Sequence, residues 1–315
     1  METDRTRILV VGAGVNGSIC AVALYKAGMD VTLLARGKRY EEIREGGIVI
    51  EDPFKKTRSL TRVPVINCLD AQDCYDYILV VIRKNQVAGL LPVLARNRSP
   101  NVVFMVNNPS GPAEFTSVLG KERVMLGFVF GAGKRDGSVI RAISGWGGSR
   151  NATPFGEMDG RITPRLTRLI GILCQAGLNA KASTAISDYL ATHAAFVAPF
   201  AHLLIHHGCD TYALARSTAD LRLLVDALRE TLEVLRATGV KIIPARTNII
   251  KTIPRFVWVA ALRILMATKF AEVGGGWHCS QAPDEMHQLG LELMALVEKS
   301  GLPAPATRKV FASGV

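Results

Sequence analysis

This chain of 315 residues lacks the common motifs of metal-binding and disulfide-bonded proteins. Its six cysteines are far apart, and no two of them form a C-x-x-C pair. None of its six histidines belongs to an H-E-x-x-H motif, so we expect no metal site. Scattered cysteines are typical of reduced thiols in a cytoplasmic protein. The cysteines are Cys20, Cys68, Cys74, Cys174, Cys209 and Cys279.

Long apolar runs are also missing. The most hydrophobic late segment, Phe256–Phe270, is interrupted by Arg263 and flanked by further basic residues. A segment this short and this charged does not span a bilayer, so we expect no membrane partner. We expect it to form a buried helix or, alternatively, the interface of a homodimer. No signal peptide is expected, because strand-like sequence starts at Arg7.

Basic residues outnumber acidic ones, with 38 Lys and Arg against 27 Asp and Glu and a net charge of +11. They are spread along the chain, without a basic block, interleaved aromatic residues or zinc-finger spacing. The sequence therefore predicts no nucleic-acid partner. A positive field that attracts small anionic molecules accounts for the same charge.

The most informative motif present is G-x-G-x-x-G near the start of the chain. Ile8–Val11 predicts a strand, Ser18–Ala27 is helix-like, and Val31–Ala35 predicts a second strand. Strand, glycine turn, helix and strand in this order are typical of a dinucleotide-binding fold. The residues expected to bind the cofactor here are Gly12, Gly14, Val15, Asn16 and Gly17.

Each glycine of the motif has a separate predicted task. Gly12 permits the tight turn, Gly14 lets the backbone approach a pyrophosphate, and Gly17 lets the helix pack close to the strand. The helix N-terminus then presents unpaired N–H groups to the phosphates. The alternative is a glycine turn without a ligand, which the two flanking strands disfavour.

The end of the second strand indicates which dinucleotide is bound. Enzymes that use NAD usually place Asp or Glu there for the ribose 2′-hydroxyl. Here Ala35 is followed by Arg36, and the first acid is Glu41. A guanidinium can bind a 2′-phosphate through two hydrogen bonds. Arg36, with Lys38 or Arg39 adding charge, therefore favours NADPH over NADH.

The pattern of elements changes near residue 185. Before it, strand-like runs alternate with helices, whereas after it apolar residues recur at helical spacing. We therefore predict an α/β protein with an N-terminal Rossmann-type parallel-sheet domain, residues 1–183, that binds NADPH. An all-helical C-terminal domain, residues 184–315, would serve substrate binding and dimerisation. In such proteins the substrate lies in the cleft between the domains.

Five segments together resemble the ketopantoate reductase family and span nearly the whole chain. The resemblance implies an NADPH enzyme that reduces a 2-oxo acid to a 2-hydroxy acid. It also implies that Arg36 binds the 2′-phosphate, that Arg83 stands for a family lysine, and that Asn108 and Glu285 lie at the cofactor. The segments are the glycine motif, Leu33–Gly37, Val80–Val87, Asn107–Gly111 and Asp284–Pro305.

The sequence departs from this family at the residues that carry the chemistry. The family lysine after the strand of residues 77–82 is Arg83 here, with Lys84 beside it. Pro109 replaces the glycine that is usual in the asparagine turn. The family's catalytic lysine aligns with Thr192, so its general acid is absent.

The two family asparagines that follow this lysine align with Phe196 and Phe200. A polar helix face has thus become aromatic. We expect a substrate more apolar than ketopantoate, provided that both rings face the cleft rather than the core. Phe196 is therefore a candidate substrate-binding residue.

Reduction of a ketone needs a hydride donor and a group that gives a proton or positive charge to the developing alkoxide. His193 is the nearest candidate, because imidazole titrates near neutral pH; the alternative is a structural histidine. Thr192 could orient the substrate. Glu285 is a further candidate near the nicotinamide, and its alternative is a solvated carboxylate in a first helical turn. His278 and Ser280, after a glycine-rich loop, are candidate substrate-binding residues.

The sequence thus predicts an NADPH-dependent oxidoreductase acting on a carbonyl of a small-molecule substrate. An imine or opine-type reductase is one alternative, because it needs the same hydride geometry. A non-catalytic sensor is another, because it would keep the cofactor site and lose the acid.

Overall fold

The computed structural model describes residues 6–129, 131–144 and 152–312, which form two compact units. The first unit contains the described residues of 6–106 and 112–186, and the second contains 107–111 and 187–312. The expected N-terminal domain, residues 1–183, included the segment 107–111, whereas in the structure this segment belongs to the second unit. This segment joins the second unit because Asn107 and Ser110 donate hydrogen bonds to Glu285 and Glu292.

The described strands all lie in the first unit and form two sheets. In chain order they are β1 (Arg7–Val11), β2 (Asp30–Leu34), β3 (Ile48–Asp52), β4 (Thr57–Thr61), β5 (Val65–Ile66), β6 (Tyr77–Val80), β7 (Val102–Phe104), β8 (Val124–Gly127), β9 (Gly131–Asp136), β10 (Val139–Ser144), β11 (Thr153–Glu157) and β12 (Ala180–Ala182).

The helices of the first unit pack around these sheets, and those of the second unit pack on one another. In chain order they are α1 (Val15–Lys26), α2 (Lys38–Gly46), α3 (Val87–Arg96), α4 (Ala113–Leu119), α5 (Pro164–Gln175), α6 (Ile186–His206), α7 (Thr211–Arg216), α8 (Thr218–Ala237), α9 (Ile249–Thr252), α10 (Arg255–Met266), α11 (Lys269–Ala271), α12 (Trp277–Gln281), α13 (Pro283–Ser300) and α14 (Pro305–Ala312). A π-helical turn, Glu272–Gly276, precedes α12.

The larger sheet has eight strands in the order β12-β11-β8-β7-β6-β1-β2-β5. From β5 to β8 every pair is parallel, and only β11 runs antiparallel to β8. The order β5-β2-β1-β6-β7-β8 is that of a dinucleotide-binding sheet, in which the ligand lies beyond the carboxyl end of the first strand. The predicted Rossmann-type sheet is confirmed.

The central strands are buried on both faces, which explains their unbroken apolar sequence. Val10 of β1 lies opposite Leu33 of β2 and Leu79 of β6. On one side of the sheet, the rings of Phe104 and Phe115 stack with centroids 4.1 Å apart. The pairing of β1 with β2 and β6 fixes the carboxyl end of β1, from which the glycine motif continues.

A second sheet has four strands in the order β4-β3-β10-β9. β10 is antiparallel to β9 and parallel to β3, although about ninety residues separate β3 from β10. The sequence indicates a strand at 139–143 but not this sheet, because β4 and β9 are polar and largely exposed. The sheet packs against α1 and thereby reaches the glycine motif.

The second unit contains no strand among its described residues, as predicted. The apolar stripe of α8 is buried and packs against α10, α13 and α14. Helix ends follow local sequence signals: the hydroxyl of Thr163 caps α5, that of Ser217 caps α8, and Gly301 ends α13 with φ of +69°.

The expectation of a buried helix in Phe256–Phe270 is wrong for α10. Only Val259 and Met266 of this helix are buried, whereas Phe256 is 74% and Ile264 is 72% exposed. Trp258 and Leu262 are partly buried and pack against the core of the second unit, whereas the apolar residues on the opposite face of the helix are exposed.

No helix among the described residues combines the length and the apolar character that a membrane crossing requires. In the same residues, no group of three or more His, Cys, Asp or Glu side chains could hold a metal ion. All six cysteines are free thiols.

Candidate functional site

Two glycines of the loop between β1 and α1 are required by close packing. Gly12 has φ of +110°, and a Cβ there would lie 2.3 Å from the carbonyl oxygen of Val81. A Cβ on Gly17 would lie 1.7 Å from the carbonyl oxygen of Gly12. A side chain at either position would force α1 away from the sheet.

Gly14 is in a different situation, because a Cβ there would meet no atom within 4 Å. It precedes α1 and gives the helix no side-chain cap, so the N–H groups of the first turn, starting at Val15, have no cap acceptor. An uncapped helix N-terminus attracts anions. The loop therefore fits the pyrophosphate of a dinucleotide.

Asn16 uses its side chain inside the protein. Its Oδ1 accepts a hydrogen bond of 2.9 Å from the backbone N–H of Gly131, the first residue of β9. This bond ties the glycine loop to the second sheet. Because the side-chain oxygen is engaged, the backbone N–H of Asn16 is the group that we still predict to contact the cofactor.

Arg36 follows β2, where the adenosine ribose of a dinucleotide is expected. Its side chain is exposed and makes no ion pair or hydrogen bond with the other residues of the described part of the chain. The acids that follow in sequence are engaged elsewhere: Glu41 pairs with Arg44 at 2.6 Å, and Glu42 pairs with Arg39 at 3.2 Å. The guanidinium of Arg36 is thus available to a 2′-phosphate.

Arg39 is buried, although it lies in a basic run that looks solvated in the sequence. Its Nε donates to the carbonyl oxygen of Ala13 at 3.2 Å, and its Nη1 donates to that of Ser138 at 3.0 Å. Its Nη2 is buried without a hydrogen-bond partner in residues 6–129, 131–144 and 152–312. Arg39 therefore joins the glycine loop to the turn between β9 and β10, a role that sequence reasoning missed.

Two basic residues follow β6, and they have different surroundings. Lys84 is buried, its ammonium pairs with Glu114, and it lies 4.9 Å from the ring centroid of Phe115. Lys84 thus anchors α4 to the turn after β6. Arg83 is only half-buried and remains the candidate of the two for a cofactor contact.

The segment 107–111 contains a buried amide without a described partner. Asn108 is 1% exposed, and neither its Oδ1 nor its Nδ2 has a hydrogen bond within the residues that the structure describes. An unsatisfied buried amide costs about 1–3 kcal/mol, so a polar ligand at this position would be stabilising. The amide therefore fits a role in binding cofactor or substrate.

Glu285 lies in the first turn of α13 and is 4% exposed. Its Oε1 accepts a hydrogen bond of 3.2 Å from Nδ2 of Asn107, next to the unsatisfied Asn108. The helix N-terminus stabilises the negative charge of the carboxylate. The structure thus brings Glu285 to the asparagine turn, and it adds Asn107, which the sequence did not single out.

Thr192 is buried in α6, and its hydroxyl is occupied within the protein. Its Oγ1 donates to the carbonyl oxygen of Asp188 at 2.8 Å and accepts from the N–H of Ile243 at 3.2 Å. Only one lone pair remains for any other partner. The two bonds give Thr192 a structural role in holding α6.

His193 lies beside Tyr189 on α6, with the two ring centroids 6.4 Å apart. Burial and, secondarily, the charge of nearby His278 lower the pKa of His193 to about 4. The imidazole is therefore neutral at pH 7 and can donate a hydrogen bond, but it seldom carries a second proton. Burial raises the pKa of Tyr189, so its phenol also keeps its proton.

The four aromatic positions of α6, residues 189, 193, 196 and 200, recur at three- and four-residue spacing and share one face. All four side chains are partly exposed, and Phe196 and Phe200 also pack against the core of the second unit. A Cβ on Gly275 would lie 2.9 Å from Cε1 of Phe200, so this glycine lets the ring lie against the backbone. On this face, Phe196 and Phe200 thus pack against the core of the second unit and still expose part of their rings.

Ser280, His202 and His207 have ordinary structural contacts. Ser280 is exposed, and its Oγ donates to the carbonyl oxygen of Trp277 at 2.9 Å. His202 is buried against Phe311, and Nε2 of His207 lies 2.9 Å from Oδ2 of Asp220. His278, a predicted substrate-binding residue, lies close enough to His193 for its charge to lower the pKa of that imidazole.

Comparisons with known proteins concern first the N-terminal half of the chain. The family model "Ketopantoate reductase PanE/ApbA" matches residues 8–158. A 2-dehydropantoate 2-reductase of Archaeoglobus fulgidus is 29% identical over 180 residues, which are 56% of this chain and 55% of that protein. The resemblance to ketopantoate reductases is confirmed. The chain matches about half the length of this curated relative.

Solved structures extend the likeness to nearly the whole fold. A 2-dehydropantoate 2-reductase from Geobacter metallireducens GS-15 covers 98% of this chain and 100% of its own, with a TM-score of 0.77 and 15% identity. D-mandelate dehydrogenase with NADH and anilino(oxo)acetate covers 98% of this chain and 96% of its own, with a TM-score of 0.77 and 14% identity. At this identity, the likeness to both structures concerns the fold alone.

Proposed function

We propose that this chain is an NADPH-dependent oxidoreductase that reduces the carbonyl group of a 2-oxo acid. The observation that carries the proposal is the glycine loop, which leaves open space at Gly14 before an uncapped helix N-terminus, with Arg36 unpaired after β2. This arrangement suits a pyrophosphate, and the guanidinium suits the 2′-phosphate that distinguishes NADPH from NADH. The likeness to ketopantoate reductases supports the reaction type.

When bound, the nicotinamide would supply the hydride. The residues of the chain would then stabilise the negative charge that develops on the carbonyl oxygen. His193, as a neutral imidazole, and Tyr189, as a phenol, can donate hydrogen bonds at neutral pH. The amide of Asn108, which has no described partner, can also donate. Glu285, held by Asn107, would orient the bound molecules rather than donate a proton.

The aromatic face of α6 supports a substrate with a large apolar group. Phe196 and Phe200 are partly exposed on this face, at the positions where the resemblance implies amides. An apolar substrate group would remove their exposed area from water at about 25 cal/mol per Å². We therefore propose an aromatic or bulky 2-oxo acid rather than ketopantoate.

The test is oxidation of NADPH, followed at the nicotinamide absorbance, with ketopantoate and phenylglyoxylate as substrates. We expect kcat/KM to be at least tenfold higher for phenylglyoxylate. Phe196→Asn should reduce this preference and leave the Kd of NADPH unchanged. Phe54→Asn, at an exposed ring in the other unit, is the control. Preferred turnover of ketopantoate would contradict the proposed substrate class.

The low pKa of His193 favours a second candidate function, because a site without a ready proton source suits a non-catalytic NADPH-binding sensor. This candidate predicts tight NADPH binding without turnover of either acid. Repeating each assay with an added amine distinguishes the imine reductase, which would oxidise NADPH only in the presence of the amine.

A further inference from the structure

A short segment between α8 and α9 lies against the N-terminal half of α6. The N–H of Ile243 donates a hydrogen bond of 3.2 Å to Oγ1 of Thr192. A 3₁₀ turn, Ala245–Asn248, begins two residues later. Arg246 is the second residue of this turn, so the segment brings it to the part of α6 that carries Tyr189 as well as Thr192.

The backbone of this segment is fixed by two arginines of α8. Arg236 donates a hydrogen bond to Oδ1 of Asn248, at the end of the 3₁₀ turn. Arg229 donates to the carbonyl oxygens of Ile250 at 2.9 Å and Ile253 at 2.6 Å. The turn is thus held by α6 on one side and by α8 on the other. A side chain that extends from a fixed backbone suits a specific binding site.

Arg246 carries an exposed guanidinium. No ion pair or hydrogen bond joins this group to another residue in the part of the chain that the structure describes. Its charge reaches the aromatic face of α6: burial raises the pKa of Tyr189, and the positive charge of Arg246 opposes this shift. The guanidinium therefore lies near the phenol and is available to an anion.

The 2-oxo acid of the proposed function carries a negative charge. The donors on this face of α6, His193 and Tyr189, are uncharged at neutral pH. A carboxylate that leaves water needs a cationic partner as well as hydrogen bonds. A guanidinium provides both, because it binds a carboxylate through two parallel hydrogen bonds that also fix its orientation. Arg246 thus supplies the charge that the two other donors lack.

The order of the side chains along α6 matches the order of the groups in such a substrate. Tyr189, His193 and Phe196 follow one another on one face, and the first and last are about 10 Å apart along the helix axis. In a 2-oxo acid, the keto group lies between the carboxylate and the apolar group. A carboxylate beside Tyr189 therefore brings the keto group toward His193 and the apolar group toward Phe196.

We propose that Arg246 binds the carboxylate of the 2-oxo acid and thereby orients the substrate along α6. Two parallel hydrogen bonds from its guanidinium hold the carboxylate at the Tyr189 end of the aromatic face. The keto group then lies at His193 and the apolar group at Phe196. This inference rests on the proposed function, because it takes a 2-oxo acid as the substrate. It assigns a substrate-binding residue that the sequence did not single out.

The first test compares a charged and an uncharged substrate that share the same keto group. NADPH oxidation is measured with phenylglyoxylate and with its methyl ester, which lacks the negative charge. Arg246→Ala should reduce kcat/KM at least 100-fold for the acid and less than threefold for the ester. Arg246→Lys keeps the charge but loses the two parallel bonds, so we expect a loss of about tenfold with the acid. Equal losses with the acid and the ester would overturn the proposal.

Lys241→Ala is the matched control. Lys241 is an exposed cation that precedes Ile243, whereas Arg246 follows it. Removing either cation lowers the net charge by one unit, but Lys241→Ala should change kcat/KM for the acid less than threefold. Thermal unfolding and the Kd of NADPH should be unchanged in both variants. Equal losses of activity in the two variants would show that a general positive field attracts the acid, and they would overturn the proposal.

A binding measurement distinguishes this proposal from the proposed function. Titration calorimetry with NADP+ present measures the Kd of phenylglyoxylate without turnover, and Arg246→Ala should raise this Kd at least 30-fold. Binding that depends on Arg246, without turnover by the wild type, would contradict the reductase activity and support the binding site. Turnover that Arg246→Ala leaves unchanged would overturn the role of Arg246 and leave the proposed function in place. A wild type that does not bind the acid would overturn both.

Discussion

Arg39 is the residue whose surroundings differ most from those that its sequence context indicates. Its guanidinium bonds to the carbonyl oxygens of Ala13 and Ser138, residues that lie 125 positions apart in the chain and on two different structural elements. A basic run between a strand and a helix gives no sign of such bonds, since a buried and a solvated arginine have the same local sequence. Asn107 is similar, because its hydrogen-bond partner Glu285 is distant in the sequence.

Replacing Arg39 should therefore destabilise the first unit. Arg39→Met removes the donors to the carbonyl oxygens of Ala13 and Ser138, and we expect a loss of about 2 kcal/mol in the free energy of unfolding. Arg44→Met in the same helix removes a 55% exposed side chain and should change stability by less than about 0.5 kcal/mol. Urea denaturation of both variants measures the difference, and equal stability would show that the buried bonds of Arg39 contribute little.

His193 should make the protein less stable below pH 6.5. Its pKa is about 4 in the fold and near its ordinary value of 6.5 in the unfolded chain, so between these values only the unfolded chain binds the proton. Stability is therefore complete above pH 6.5 and falls as the pH decreases toward 4. At pH 5 the loss is about 1–2 kcal/mol.

The measurement is urea denaturation at pH 7.5 and pH 5 for the wild type and His193→Gln. Gln cannot titrate, so the variant should lose less stability than the wild type over this interval. His202, which is also buried with a lowered pKa, serves as the background common to both proteins. An identical loss in the two proteins would show that His193 is solvated.

At the scale of elements, two substitutions in the glycine motif should separate helix packing from pyrophosphate binding. Gly17→Ala places a Cβ 1.7 Å from a carbonyl oxygen, so α1 must move and we expect a loss of stability above about 3 kcal/mol. Gly14→Ala meets no protein atom and should fold normally. If the pyrophosphate lies there, Gly14→Ala should raise the Kd of NADPH at least tenfold. Thermal unfolding and NADPH fluorescence titration measure the two effects.

The elements that the sequence predicts well are those with local signals. α5, α8 and α13 begin or end at Thr163, Ser217 and Gly301, where capping and left-handed geometry depend on neighbouring residues only. The four-stranded sheet was missed because its pairing of β3 with β10 is distant in sequence. The expected burial of the segment that forms α10 is wrong, because an apolar segment has the same sequence whether its helix lies in a core or at the surface.

At the scale of the whole molecule, the net charge of +11 should affect ligand binding. NADPH is strongly anionic, so we expect its Kd to rise about tenfold between low salt and 0.3 M salt as the positive field is screened. Arg36→Ala should raise the Kd at low salt and reduce the dependence on salt, because it removes one cation from the site. A Kd that does not change with salt would show that the field contributes nothing to binding.

The way in which the chain passes between its two units also matters for anyone who wishes to study them separately. Because residues 107–111 belong with the helices although they lie inside the nucleotide-binding sequence, no single cut in the gene releases either unit whole. A fragment ending at residue 186 would contain Asn107 without Glu285, and the complementary fragment would contain Glu285 without Asn107. The two halves are thus not interchangeable modules. A chimaera that joins the N-terminal half of one homologous protein to the C-terminal half of another would take the partners of the Asn107–Glu285 hydrogen bond from different proteins.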